Sequence, residues 1–152
     1  MAKIHDSCVR DVNFGHDVTV VHPVNLYECM IGDDSFIGPF VEIQKGVTIG
    51  KNSKVQSHSF VCEKVAIGDC VFIGHGVMFI NDRFSAGEPA GGDENLWEPT
   101  IIHDNVSIGS NATILPVSIC SDVVIGAGSV VTKSINEPGI YAGNPAKLIR
   151  KI

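Results

Sequence analysis

The stretch Ile31-Gly32-Asp33-Asp34-Ser35-Phe36-Ile37-Gly38-Pro39-Phe40-Val41-Glu42-Ile43 repeats a six-residue pattern that keeps its phase as far as Phe79. The first positions are Ile31, Ile37, Ile43, Ile49, Val55, Val61, Ile67, Ile73 and Phe79, all apolar. The fifth positions, from Ser35 through Val41, Val47, Ser53, Ser59, Val65 and Val71 to Val77, are all Ser or Val. About half of an average chain is apolar, so this run is not a chance pattern. An α-helix has 3.6 residues per turn and would rotate such a row off its buried face within two repeats. A short strand followed by a tight corner fits: the aliphatic residue points inward, the small fifth residue shares the interior, and Gly, Asn or Asp takes the bend. The fold class that follows is all-β, a parallel β-helix of hexapeptide repeats. Three units close one triangular coil, so residues eighteen apart lie above one another. Successive coils stack at about 4.8 Å, the ordinary strand spacing, and each covers the interior of its neighbour.

Outward from this core the repeat resumes at Ile102, Ile108 and Ile114, then continues one residue short at Ile119, Ile125 and Val131. The deficit falls in Leu115-Pro116-Val117-Ser118, where the proline marks a tightened corner. Val12, Val18 and Val24 suggest an earlier coil, and Asn25 and Leu26 break phase before Ile31. A first irregular coil is therefore expected at about residues 10 to 30.

The 152 residues are read as one β-helix domain, 1–152. A net charge of −6 without a basic run argues against nucleic-acid binding. No apolar stretch approaches the roughly 20 residues of a membrane span, and no signal peptide opens the chain. The five cysteines are odd in number and form no C-x-x-C pair, which favours a reduced, cytoplasmic protein with small, mostly buried thiols.

The segment from Ile80 to Pro99 matches neither the six-residue period nor a helix, giving a long loop at about 80–100. Irregular segments of this length inside a compact domain are uncommon and usually functional, although a tolerated surface insertion costs little. This one carries the only tryptophan, Trp97, and opens with Asn81, Asp82 and Arg83: an amide, an acceptor and a bidentate donor in one place. Of the six histidines, His5, His16 and His22 lie in the irregular amino-terminal part and are assigned nothing. His58 and His75 belong to units eighteen residues apart and therefore share one edge of adjacent coils. The loop leaves one unit after His75, which is expected to bring Asn81 and Asp82 near that edge. A corner histidine is more often a solvated residue than a catalyst, but two on one edge beside a long loop leave the catalytic reading equally open. A catalytic zinc needs three converging ligands; His58 and His75 supply two, His103 lies beyond the loop, and no metal is assigned.

Two further stretches carry a family resemblance. Ile73-Gly74-His75-Gly76-Val77-Met78-Phe79-Ile80-Asn81-Asp82-Arg83 resembles the loop entrance of N-acetyltransferases that act on nucleotide-linked 3-amino sugars. Ile125-Gly126-Ala127-Gly128-Ser129-Val130-Val131-Thr132-Lys133 and Tyr141-Ala142-Gly143-Asn144-Pro145-Ala146-Lys147 resemble the coenzyme A end of hexapeptide-repeat acyltransferases with a left-handed β-helix. The resemblance spans about residues 12 to 148. It implies a homotrimer with shared sites in the grooves between prisms, acetyl-CoA as acyl donor, and a role in making a surface-glycan precursor. By the same resemblance, Gly109, Ala127, Lys133, Pro145, Lys147 and Arg150 would hold coenzyme A. Asn81, Asp82, Arg83 and Trp97 would hold a nucleotide-linked amino sugar, with Asn81 also orienting the amine. His75 or His58 would serve as general base, unless the departing thiolate takes the proton. An acyltransferase with another small-molecule acceptor, and a non-catalytic β-helix module, are the competing expectations.

Overall fold

A computed structural model describes residues 1–152 as a left-handed β-helix of about 7 turns, with three sheets as its faces. Face I stacks Val9–Arg10, Asn25–Tyr27, Glu42–Ile43, Phe60–Val61, Met78–Phe79, Thr113–Ile114 and Val130–Val131. Face II stacks Asn13–Phe14, Met30–Ile31, Thr48–Ile49, Val65–Ile67, Thr100–Ile102 and Ser118–Ile119. Face III stacks Thr19–Val20, Phe36–Ile37, Lys54–Val55, Phe72–Ile73, Ser107–Ile108, Val123–Ile125 and Gly139–Ala142. These pairings are parallel; a final strand, Lys147–Arg150, turns back antiparallel on Gly139–Ala142 and forms the carboxy-terminal extension. The sole helical element is one 3₁₀ turn, Glu94–Leu96, and no helix is long and apolar enough to cross a membrane.

The nine first-position residues from Ile31 to Phe79 are each 0 to 4% exposed, and the fifth-position residues are buried with them. Serine at the fifth position does what valine cannot. Ser35 Oγ donates to the Gly50 carbonyl (2.9 Å) and accepts the Ser53 N–H (3.0 Å); Ser53 repeats this with Gly68 and Val71, and Ser59 with Gly74 and Val77. Each serine ties its coil to the next, no buried side-chain polar atom is left unpaired, and each such bond contributes about 1 kcal/mol net.

The fourth position of each unit turns the corner with a positive φ, as at Asp34, Gly46, Asn52, Gly76, Asn105, Asn111, Asp122 and Gly128. Asn, Asp and Gly suit this conformation, whereas another L-residue there costs about 1–2 kcal/mol. Phe40, His58, Lys64 and Cys70 occupy it nonetheless.

The seventeen-residue register of Ile102 with Ile119 and of Ile108 with Ile125 confirms the one-residue deficit at Leu115–Ser118. The amino-terminal coil differs from the expected 10–30. It begins at Val9, and Leu26 already lies in the second coil, fully buried and paired with Ile43. Val12, Val18 and Val24 hold fifth positions; the first positions are Phe14, Val20 and Leu26. The phase break is absorbed at the next corner, where Glu28 takes φ 48.

Candidate functional site

His75 sits on the edge between faces III and I, two residues past Ile73. Its Nδ1 lies 2.8 Å from Ser57 Oγ, in the coil below. If Nδ1 carries the proton and donates to Ser57, Nε2 is left with a lone pair that has no partner within the protein. In the coil above, the Asn111 N–H donates to the His75 carbonyl (2.8 Å), and the Asn111 side chain leans over Gly76, where an added Cβ would lie 2.5 Å from Oδ1. His58, on the same edge, stacks on Phe40 with ring centroids 4.8 Å apart and makes no hydrogen bond to His75.

Glycine recurs beside this edge because the coils nest there. A Cβ at Gly74 would lie 2.7 Å from Ser110 N, and one at Gly109 would lie 2.5 Å from Ala127 N. The backbone N–H groups of Ser110 and Ala127 have no acceptor within the protein. On the edge between faces II and III, three of the equivalent donors are satisfied by side chains. There Asp33, Asp69 and Asp104 accept from His16, Lys51 and Asp69, at 2.8, 2.7 and 2.8 Å. The III–I edge therefore presents a ladder of free donors running from His75 toward the carboxy terminus. Its upper end is closed by the Asn144–Pro145 turn: Val130 N–H donates to the Gly143 carbonyl, Gly143 N–H to Ser129 Oγ, and Ala146 N–H to the Val130 carbonyl.

Gly109, Ala127 and Pro145 thus line one edge, with Lys147 and Arg150 on the adjoining antiparallel strand. Lys133 does not join them; it follows Val131 at the edge between faces I and II. His103 is also elsewhere, on the outside of face II with Nε2 3.4 Å from Ser118 Oγ, and no three metal-ligating side chains cluster anywhere.

The loop departs after Phe79 and rejoins at Thr100, at the I–II edge. This corrects the expectation that it lies near His75. One hexapeptide unit is one side of the triangle, so the whole of face I separates Asn81 from the histidine. The loop's polar entrance is also occupied internally. Asn81 Nδ2 donates to the Glu63 carbonyl (3.3 Å), and its own carbonyl accepts the Glu98 N–H (2.8 Å). The Asp82 carboxylate accepts the N–H groups of Phe84 (2.9 Å) and Ala90 (2.7 Å). Arg83 pairs with Glu98 (3.1 Å) and donates to the Pro116 carbonyl. Lys64 Nζ reaches the carbonyls of Glu94 and Trp97, which accounts for a lysine at a strained corner. These bonds brace the loop, while Phe84 and Leu96 stay exposed at its surface.

Ser57, Ser110 and Asn111 were not singled out in the sequence. Continuing the unit phase across the loop finds them: Ser57, His75, Ser110 and Ala127 are each third in units beginning Val55, Ile73, Ile108 and Ile125.

Residues 28–63 match the bacterial transferase hexapeptide family (six repeats), and residues 99–133 match the hexapeptide repeat of succinyl-transferase. The bifunctional protein GlmU of Wigglesworthia glossinidia brevipalpis is 34% identical over 154 residues, covering 88% of this chain and 31% of GlmU. The chain spans about a third of the length of the curated relatives it matches. A hexapeptide-repeat acetyltransferase from Vibrio cholerae O1 biovar eltor, solved with acetyl coenzyme A, superposes with a TM-score of 0.70 at 26% identity over 80% of this chain and 69% of that one. A galactoside acetyltransferase in complex with coenzyme A gives 0.69 at 33% identity over 80% and 64%.

Proposed function

We propose that this chain, built from the hexapeptide repeats of the bacterial transferases, is a coenzyme A-dependent acyltransferase that acetylates the amino group of a nucleotide-diphosphate-linked sugar. The observation that carries the proposal is the III–I edge, where the exposed His75 and a column of free backbone donors run to a basic carboxy-terminal strand. The column from His75 to the Pro145 turn spans three coil steps, about 15 Å at the spacing of paired strands. In this reading the pantetheine arm lies along the column, its amides accepting from Ser110 and Ala127, and Lys147 and Arg150 meet the phosphates. Two solved relatives are described with acetyl coenzyme A or coenzyme A bound, which supports that donor.

At the lower end His75 Nε2 faces the thioester and the incoming amine. The neutral amine attacks the carbonyl carbon, the C–N bond forms and the C–S bond breaks. The amine's surplus proton passes to Nε2, and then to the departing thiolate. Ser57 holds the ring with Nδ1–H directed inward during this exchange.

The loop enters the site from a second copy. One copy cannot bring the I–II loop to its own III–I edge, but a neighbour can, since the two surfaces differ and such a heterologous contact closes into a ring. A homotrimer is the proposed ring, with Trp97 and the braced loop of one protomer covering the His75 edge of the next. The nucleotide-linked amino sugar rests on the likeness of residues 73–83 to transferases of that group. A sugar hydroxyl is the second reading, favoured by the galactoside acetyltransferase.

The test is thiol release from acetyl coenzyme A with a panel of thymidine- and uridine-diphosphate amino sugars and simple galactosides. Release with one amino sugar supports the proposal, and release with galactosides alone selects the second reading. Silence throughout together with no coenzyme A binding by calorimetry removes the transferase. Light scattering is expected to give three times the 16.2 kDa chain mass.

A further inference from the structure

Phe40 is the least explained residue on the His75 edge. It takes φ 61 at a corner where other coils place Gly, Asn or Asp. Its side chain is not held there by the core, since the residue is 57% exposed. In the next coil His58 repeats the anomaly at φ 64, and the two rings stack with centroids 4.8 Å apart and planes 28° apart. Lys64 shows that an unfavourable corner residue can be kept by its contacts, because its ammonium binds loop carbonyls. No such bond holds either ring. Bulky residues in sparsely populated backbone regions cluster at ligand sites, where the strain maintains a shape the ligand uses. Above His58 the same column continues with Gly76, which adds no side chain of its own between the pair and the Asn111 amide that leans over it.

We propose that the Phe40–His58 pair is a stacking platform for the nucleobase of the acceptor. The inference rests on the acyltransferase reading above and assigns that site its acceptor subsite. Phe40 lies two coil steps below His75, about 10 Å along the edge, on the side opposite the free donors of Ser110 and Ala127. One edge then holds both substrates in series. Coenzyme A comes down from the carboxy-terminal coils, the nucleotide comes up from the amino-terminal ones, and the sugar amine meets the thioester at His75. An aromatic face accepts any planar base, so the platform supplies affinity, and the choice between thymine and uracil lies elsewhere.

The corner geometry provides a variant that separates ligand binding from folding. Asparagine is the residue used at the equivalent corners Asn52 and Asn111, so Phe40→Asn removes the ring and relieves the backbone together. Calorimetry of the intact oligomer with thymidine diphosphate, uridine diphosphate and coenzyme A is the experiment. The expected result is that wild-type protein binds at least one nucleoside diphosphate. Phe40→Asn weakens that binding about 10-fold or more, within the range for loss of a base–aromatic stack, and Phe40→Tyr restores it. The melting temperature of Phe40→Asn stays level or rises, and coenzyme A affinity and oligomeric mass are unchanged. The platform is overturned if neither nucleotide binds wild-type protein that still binds coenzyme A, or if Phe40→Asn binds nucleotide as tightly as wild type. A drop in mass or melting temperature with Phe40→Asn also overturns it, by making the ring a contact between copies or a structural element. Absence of coenzyme A binding strikes instead at the transferase reading.

Discussion

Replacing Gly109 by alanine tests the nesting of the coils and the donor column at once. The new methyl would sit 2.5 Å from Ala127 N, 2.8 Å from Ala127 Cα and 2.9 Å from the Gly126 carbonyl carbon. All three are backbone atoms of the next coil, so no side chain can swing aside. Unstrained contacts of this kind need about 3.5 Å, so the coils must part locally by about 1 Å. The Gly109 N–H donates to the Ile125 carbonyl at 2.8 Å, and that bond fails at such a separation. Overpacking costs about 1–3 kcal/mol and the lost bond about 1 kcal/mol, together about 2–4 kcal/mol. For a chain of this size each kcal/mol lowers Tm by about 2–4 °C, so a fall of about 4–16 °C is expected. Because the methyl projects at Ala127 N, coenzyme A affinity should fall about 10-fold or more, by loss of at least one hydrogen bond left unmet in the site. Thermal unfolding and calorimetry measure both. Gly128→Ala is the control, since nothing lies within 4 Å of its Cβ and only the positive φ of 68° is penalised, by about 1–2 kcal/mol. A Gly109→Ala protein that melts with wild type and binds coenzyme A equally well would refute both the nesting and the column.

His75→Asn is expected to lower kcat about 100-fold with coenzyme A affinity intact, the scale of a lost general base; near-normal turnover would show that the departing thiolate takes the proton. Lys64→Met removes the ammonium that holds the carbonyls of Glu94 and Trp97, so trypsin should cut after Arg83 several-fold faster through local opening, and an unchanged rate would mean the brace lies elsewhere. Burial pushes the Cys29 thiol up to about 11 and the Cys62 thiol up to about 12. The native thiols therefore stay protonated while those of the unfolded chain ionise above about pH 9, the unfolded state binds fewer protons, and stability falls as pH rises from 9 toward 11. The slope is at most about 1.4 kcal/mol per pH unit per thiol. Urea midpoints at pH 8 and 10 should diverge less in Cys62→Val than in wild type, and equal divergence would contradict the assignment.

The solenoid was legible because a six-residue period with an apolar first position and a small fifth has one economical solution: strand, corner, strand, with every third corner in line. Ile31 through Phe79 is written for that and nothing else. The one-residue deficit at Leu115–Ser118 was legible for the same reason, since any slip turns buried side chains outward. The amino-terminal coil was misphased because the six-residue spacing of Val12, Val18 and Val24 looks the same at first and fifth positions. Only the pairing of Leu26 with Ile43 distinguishes them. The sequence by itself also determined that His58 and His75 share an edge and that the long loop interrupts the prism. Which edge the loop occupies was decided by closure into a triangle, which sets Asn81 a full face away from His75. The uses of Asn81, Asp82, Arg83 and Lys64 were decided likewise, by which carbonyls and amides the folded loop brings within reach. A repeat records what each residue must do to bury its own coil. It carries no record of which backbone donors are left without a partner once the coils are stacked, and on the His75 edge those donors exist only in the assembled prism.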